Sequence, residues 1–152
     1  MAHSACGCPG SMARVIERTE TTEKEETVKA ASELRQWPVQ LHLVPPTAPW
    51  FQDSDILIAA DCVAFALGSF HSDLLKGKAL AIACPKLDDT APYVEKLAAI
   101  FKQNEVKSIT VAIMEVPCCR GLDIMVRQAL TLSGKEIPLE TAVIGVNGER
   151  RN

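Results

Sequence analysis

Six cysteines are the residues of this 152-residue chain best suited to chemistry, and four of them stand where apolar runs stop. Asp55-Ile-Leu-Ile-Ala-Ala-Asp61 runs into Cys62, and Ala79-Leu-Ala-Ile-Ala83 runs into Cys84-Pro85. Ser108 to Val116 runs into Pro117-Cys118-Cys119-Arg120-Gly121. Thiolate sulfur is the ligand for iron–sulfur clusters, and a set of four cysteines can hold a cubane. In a parallel sheet the carboxyl ends of all strands share one edge, which is also where ligands bind. Neighbouring strands lie about 4.8 Å apart, so sulfurs leaving adjacent strand ends can converge. Cys62, Cys84, Cys118 and Cys119 are therefore candidate metal ligands. Successive residues of a straight strand point to opposite faces. Unless a turn intervenes, one of Cys118 and Cys119 ligates while the other supports it or faces the core, and Asp61 or water completes the site.

The structural alternative is that these thiols are small core hydrophobes, as free cysteine often is. It suits any one junction better than all three. A second cluster, His3-x-x-Cys6-x-Cys8-Pro9, offers Cys6 and Cys8 as further metal ligands. They bind metal on their own, fold back to the main site, or form a mobile arm with reactive thiols; His3 is expected in solvent. Structural zinc usually draws on paired C-x2-4-C knuckles, a spacing that neither Cys6/Cys8 nor Cys118/Cys119 has. Thiol–disulfide exchange is disfavoured by the missing C-x-x-C. His42 and His71 read as structural and surface residues, and Asp88-Asp89 as a helix cap. Arg120 is placed to balance a negatively charged thiolate site or to sit in solvent.

The elements that must position these thiols follow from periodicity. Strands are expected over Val39–Val44, Asp55–Ala60, Ala79–Ala83, Ser108–Val116 and Thr141–Val146. Helices are expected over Val63–Lys76, from about Pro92 past Phe101, and from Leu122 to Gly134. A short helix from Ser11 through Arg18 and a helical lead-in over Ala30–Gln36 are also indicated. The alternation predicts right-handed crossovers and a three-layer α/β domain, flavodoxin-like or Rossmann-like, with a mostly parallel sheet of about five strands. Residues 1–36 form an N-terminal Cys/Gly arm and polar linker, and residues 37–152 form the α/β domain. No nucleotide is expected. No G-x-G-x-x-G or P-loop occurs, and the turn after the first expected strand, Pro45-Pro46-Thr47-Ala48-Pro49, has neither glycine nor enough N–H donors for a phosphate.

Composition sets the surroundings. Net charge is −3, which argues against nucleic acid or an anionic membrane as partner. Asp61 and Glu115 interrupt the best apolar runs, so no membrane span is expected, and no secretory signal is visible. A cytoplasmic, reducing compartment follows, where six cysteines are better explained as ligands, redox thiols or core residues than as disulfides.

As a set, Glu33–Pro45, Ala59-Ala-Asp-Cys62, Cys84-Pro-Lys-Leu-Asp-Asp89, Val116-Pro-Cys-Cys-Arg-Gly-Leu122 and Cys8-Pro9-Gly10-Ser11 resemble a family of small iron–sulfur cluster-binding proteins of anaerobic prokaryotes. Its members are often labelled ferredoxin-like or 4Fe-4S binding proteins. They commonly carry a ferredoxin-type bis-cluster segment as well; this chain lacks the C-x2-C-x2-C-x3-C-P run. The resemblance implies cluster binding, [4Fe-4S] in type, in a redox setting. The expected function is thus an iron–sulfur protein that transfers electrons or senses redox state, with a redox partner protein. The alternatives are an enzyme with an open metal position and a structural zinc domain.

Overall fold

Four segments pair into one parallel sheet: β1 (Ser54–Ala60), β2 (Lys78–Ala83), β3 (Val106–Met114) and β4 (Leu139–Ile144), in the order β2-β1-β3-β4. The computed structural model describes residues 14–18 and 29–152. β1 and β3 lie inside the sheet, and their continuous apolar runs, Ile56–Ala60 and Ile109–Met114, are buried. Strands covered on both faces have no polar face to alternate with, which is why these runs look unbroken in the sequence. β4, at one edge, returns to alternation, with Glu140 exposed between half-buried neighbours.

The fifth expected strand, Val39–Val44, is not a strand, so the sheet has four among the described residues. Gln40 makes one isolated parallel bridge to Ile82, and the chain then turns, with the N–H groups of Leu43 and Val44 both donating to the Gln40 carbonyl. Leu41 and Val44 are buried while Leu43 is exposed: the buried residues are three apart, the spacing of a turn. Pro45 and Pro46 follow and have no N–H with which to continue a ladder.

Both sheet edges are covered. Gln36 binds the backbone of Leu80 twice at 2.8 Å, and the Ile82 N–H donates to the Val39 carbonyl at 2.8 Å. On the other edge the C-terminal tail returns, the Arg151 N–H donating to the Val143 carbonyl at 2.8 Å. Such cover removes the unpaired edges through which sheets aggregate.

The connections are α1 (Val63–Ala66) with a π-helical turn (Phe70–Leu75), α2 (Tyr93–Gln103) and α3 (Arg120–Ser133). The helix expected over Val63–Lys76 breaks because Leu67 takes an extended ψ of 106° just before Gly68. α2 buries Tyr93, Leu97, Ile100 and Phe101, α3 buries Leu122, Val126 and Ala129, and the two helices pack on each other. The strand order sends the chain one way from β1 to β2 and the other way afterwards. Right-handed crossovers then put α1 and the π turn on one face and α2 with α3 on the other. Gly134, at φ 70°, ends α3 in the left-handed conformation glycine adopts without strain.

Arg14–Arg18 and Ala30–Gln36 are not helical. Residues 11–13, and the whole His3–Cys6–Cys8 cluster, lie outside the described residues. No helix among the described residues is long and apolar enough to cross a membrane.

Candidate functional site

A 2-1-3-4 order places the topological switch point, the crevice where ligands bind in such sheets, between the carboxyl ends of β1 and β3. Ala60 pairs with Ala83 and Ala59 with Ala112, so the ends of β1, β2 and β3 stop close together. β1 continues into Asp61 and Cys62, and β2 into Cys84 and Pro85. β3 continues through Glu115 and Val116 into a 3-10 turn, Pro117–Cys119, which feeds α3 directly. That turn supplies the departure from straight-strand geometry that two adjacent cysteines need in order to face one region.

All four thiols line one cavity of about 350 Å3 at this edge. Asp61, Lys86 and the apolar side chains of Pro85, Leu87, Met114, Val116 and Val146 complete it. The volume lies within the range of small-ligand sites. α3 also closes on the β2 end: a Cβ placed on Gly121 would lie 3.3 Å from the Cβ of Pro85. The Cys84 and Cys118–Cys119 junctions are therefore packed against each other.

The four thiols differ in access. Cys62 is exposed, Cys84 and Cys118 are half-buried, and Cys119 is 6% exposed. None is in a disulfide. Loss of solvent raises the Cys62 thiol above its ordinary value, and the fields of Cys84, Asp61 and Cys118 add to the rise. Burial pushes the Cys119 thiol up to about 11, against the pull of a backbone hydrogen bond at Met114. Cys119 is the core-facing member of the pair and Cys118 the accessible one.

A polar network braces the β2 end. The Asp88 carboxylate accepts from the Cys84 N–H at 2.9 Å and from the Tyr93 hydroxyl at 2.5 Å. Asp88 therefore does not cap α2, the role its sequence position suggested; α2 has no side-chain cap, and Asp89 accepts from the Ala91 N–H instead. Tyr93 is fully buried, and its hydroxyl is held protonated first by burial and then by the Asp88 carboxylate. His42 packs against the Tyr93 ring at a tilt of 52°, with centroids 4.6 Å apart, a structural role. His71 accepts from the Glu33 N–H at 3.0 Å and ties the lead-in segment to the π turn, away from the cavity. Arg120 is exposed on the first turn of α3.

Asp61 is the second unusual carboxylate. Its Oδ1 is buried and has no hydrogen-bond partner among the described residues. Burial raises its pKa, the neighbouring Asp88 raises it further, and a hydrogen bond from Gln40 opposes both.

Thiols in this number and an orphaned carboxylate oxygen are, as a donor set, suited to a thiophilic metal centre. As the side chains stand, no three His, Cys, Asp or Glu groups among the described residues are arranged to hold a metal ion. Ligation would need the thiols to reorient. The sequence missed the Asp88–Tyr93–Cys84 bracing and the apolar flanks of the cavity. Its only trace of the first is an acid four residues after Cys84.

A family model described as a Rossmann-like domain matches residues 48–151. The chain is 36% identical over 116 residues to an uncharacterized protein of Archaeoglobus fulgidus, a stretch covering 76% of this chain and 81% of that one. No solved structure matches.

Proposed function

The chain belongs to the Rossmann-like domain family, and on that premise we propose that it is a cytoplasmic iron–sulfur protein with a redox role. The observation that carries the reading is that cysteines from three separate strand ends line one cavity at the switch point. Cys62, Cys84 and Cys118 would hold the cluster, [4Fe-4S] in type, since they are the accessible thiols. Cys119 supports the turn from below. A bound cluster would supply a one-electron redox centre.

The chain's own residues do the rest. The Asp88 bridge fixes the Cys84 backbone, α3 and Gly121 press the Cys118 turn against Pro85, and the apolar lining limits water around the sulfurs. Exposed Phe65 and Leu87, 93% and 83% accessible, follow Cys62 and Cys84 by three residues each and give a redox partner protein an apolar surface beside the site. A nucleotide suits this edge poorly. The turn after β1 is Asp61-Cys62-Val63, without glycine, and the Asp61 carboxylate would face the phosphates.

One observation supports a second reading. Only three of the four thiols are accessible, and three ligands with an open position are what a metal-dependent enzyme uses. Anaerobic reconstitution with iron and sulfide tests both readings. The proposal expects brown protein with bound iron and sulfide and an EPR signal on reduction. It expects loss of iron in Cys62→Ala, Cys84→Ala and Cys118→Ala, with Cys119→Ala closer to wild type. Zinc in place of iron, or a colourless wild type, refutes it.

A further inference from the structure

We infer that the mouth of the thiol cavity is the docking site of an acidic one-electron carrier protein, held by Lys86 and Arg120 and seated on Phe65 and Leu87. This rests on the cluster reading above and names the chemistry of the partner that reaches the site.

The first ground is where the exposed hydrocarbon lies. Phe65 and Leu87 are, with Val15, the three most exposed large apolar side chains among the described residues. Each of the two stands one helical turn beyond an accessible thiol. The Ala66 N–H donates to the Cys62 carbonyl at 3.1 Å, and the Asp88 N–H to the Cys84 carbonyl at 3.0 Å. Residues three apart in such a turn are neighbours on its surface, which sets Phe65 beside Cys62 and Leu87 beside Cys84. Leu87 also lines the cavity, so the exposed hydrocarbon runs on into its apolar wall. A single exposed apolar residue is ordinary on a protein surface; a pair framing one mouth marks an interface.

The second ground is charge. Lys86 lines the cavity and Arg120 follows Cys119 directly; both are exposed, and neither has an ion pair or side-chain hydrogen bond among the described residues. Acids at the same edge are engaged within the chain. Asp88 holds the Cys84 N–H and Tyr93, Asp89 the Ala91 N–H, and Glu115 and Glu149 both pair with Arg151. Arg120 stands in the first turn of α3, where the positive end of the helix dipole favours an acid, so its placement there costs stability. The chain as a whole carries −3, so the unpaired charge at this mouth is opposite in sign to the net.

An apolar centre with a charged rim is the ordinary anatomy of a protein interface, and the rim here calls for carboxylates opposite it. A small anion would satisfy the two cations; only a protein surface also covers Phe65 and Leu87. Once docked, one electron passes between the cluster and the partner's own redox centre. One centre is oxidised as the other is reduced, and no bond forms or breaks.

The test compares wild type, Lys86→Glu/Arg120→Glu and Phe65→Ser/Leu87→Ser as full chains; all four positions are exposed, so Tm should match wild type. In the metal-free state, alkylation of Cys62 and Cys118 by anionic iodoacetate is timed against neutral iodoacetamide. At low salt the ratio of the two rates should fall about 3-fold in Lys86→Glu/Arg120→Glu and hold in Phe65→Ser/Leu87→Ser. After anaerobic reconstitution, each reduced protein is mixed in stopped flow with an oxidised acidic rubredoxin or with oxidised, basic cytochrome c. At about 20 mM salt, wild type should reduce rubredoxin about 10-fold faster than Lys86→Glu/Arg120→Glu does, the order reversing for cytochrome c and both differences fading by about 0.5 M. Phe65→Ser/Leu87→Ser should be about 5-fold slower with rubredoxin at either salt concentration. A rubredoxin rate that ignores the charge reversal overturns the inference; if the alkylation ratio still moves, the cations attract small anions alone. An unmoved alkylation ratio overturns it too, as does a rubredoxin rate indifferent to the loss of Phe65 and Leu87. Each of these leaves the cluster reading standing where iron is held. A wild type that holds no iron fails the cluster reading and this inference together.

Discussion

Removing the Asp88 carboxylate should loosen the β2 end of the site by an amount that the structure sets. Asp88→Ala leaves the Tyr93 hydroxyl without an acceptor inside the core, where Tyr93 is fully buried. An unsatisfied buried hydroxyl costs about 1–3 kcal/mol. The Cys84 N–H loses its charged acceptor as well, but it is half-buried and water can replace part of that bond, so about 1 kcal/mol is added. The expected loss is about 2–4 kcal/mol, or roughly 6–12 °C in Tm for a domain of this size. Tyr93→Phe removes donor and hydroxyl together and leaves Asp88 its bond to Cys84, so it should cost only about 1 kcal/mol.

The double variant decides the matter. In the Tyr93→Phe background there is no hydroxyl to strand, so Asp88→Ala should cost about 1–3 kcal/mol less than it does alone. Urea denaturation of the four proteins gives that coupling energy, and the alkylation rate of Cys84 reports whether its turn has opened. If the two changes add within about 0.3 kcal/mol, or if Asp88→Ala alone costs less than about 0.5 kcal/mol, Asp88 does not brace Cys84 through Tyr93 and the reasoning fails.

Three further outcomes are expected. Alkylation of the metal-free protein at pH 8, followed by mass spectrometry, should modify Cys62 first, Cys84 and Cys118 next and Cys119 last, following their exposure; early labelling of Cys119 would contradict its core placement. The Cys119 thiol is pushed up to about 11 from an ordinary value of 9.0, so the folded chain keeps a proton that the unfolded chain loses: stability is unaffected below about pH 9 and falls by up to about 3 kcal/mol between pH 9 and 11. Because Tyr93 is raised too, the measurement is the difference from Cys119→Ala, whose stability should fall less over that range in pH-dependent denaturation. Leu122→Ala should cost about 2–5 kcal/mol in the same denaturation assay, since Leu122 is fully buried where α3 begins.

The sequence carried the interior of the sheet and the placement of its thiols, because both depend on signals that survive in one dimension. β1, β2 and β3 are nearly continuous apolar runs, and burial on both faces is the reason such runs exist. Each run ends in cysteine, so strand polarity alone brought Cys62, Cys84 and the Cys118–Cys119 pair to one edge. What was illegible depended on contacts between distant residues. Val39–Val44 has the alternation of a strand, yet it packs Leu41 and Val44 through a turn at the edge of β2, and nothing local separates those two patterns. Asp88 looks like a helix cap from its neighbours; its partners, Tyr93 and the Cys84 amide, are chosen by how α2 packs. The division of labour between Cys118 and Cys119 depends on the 3-10 turn, whose phase one sequence does not fix.

Fold membership and site chemistry pull in different directions here, and the site has to decide. A Rossmann-like sheet is most often read as a nucleotide-binding frame, through a glycine-rich turn and a long helix N-terminus after the first strand. In this chain that turn is Asp61-Cys62-Val63 and the helix after it has four residues, too few for a useful dipole. The same crevice, bounded by the same strand ends, is lined with sulfur and hydrocarbon. Partial loss of solvent raises the Cys62 thiol above its ordinary value, and deeper burial raises the Cys119 thiol further. A medium that penalises isolated thiolates accepts them only when a cation neutralises the charge. If these sulfurs hold a metal, as proposed, the cation would have to displace their protons, a cost that the apolar lining sets and the fold that presents it does not.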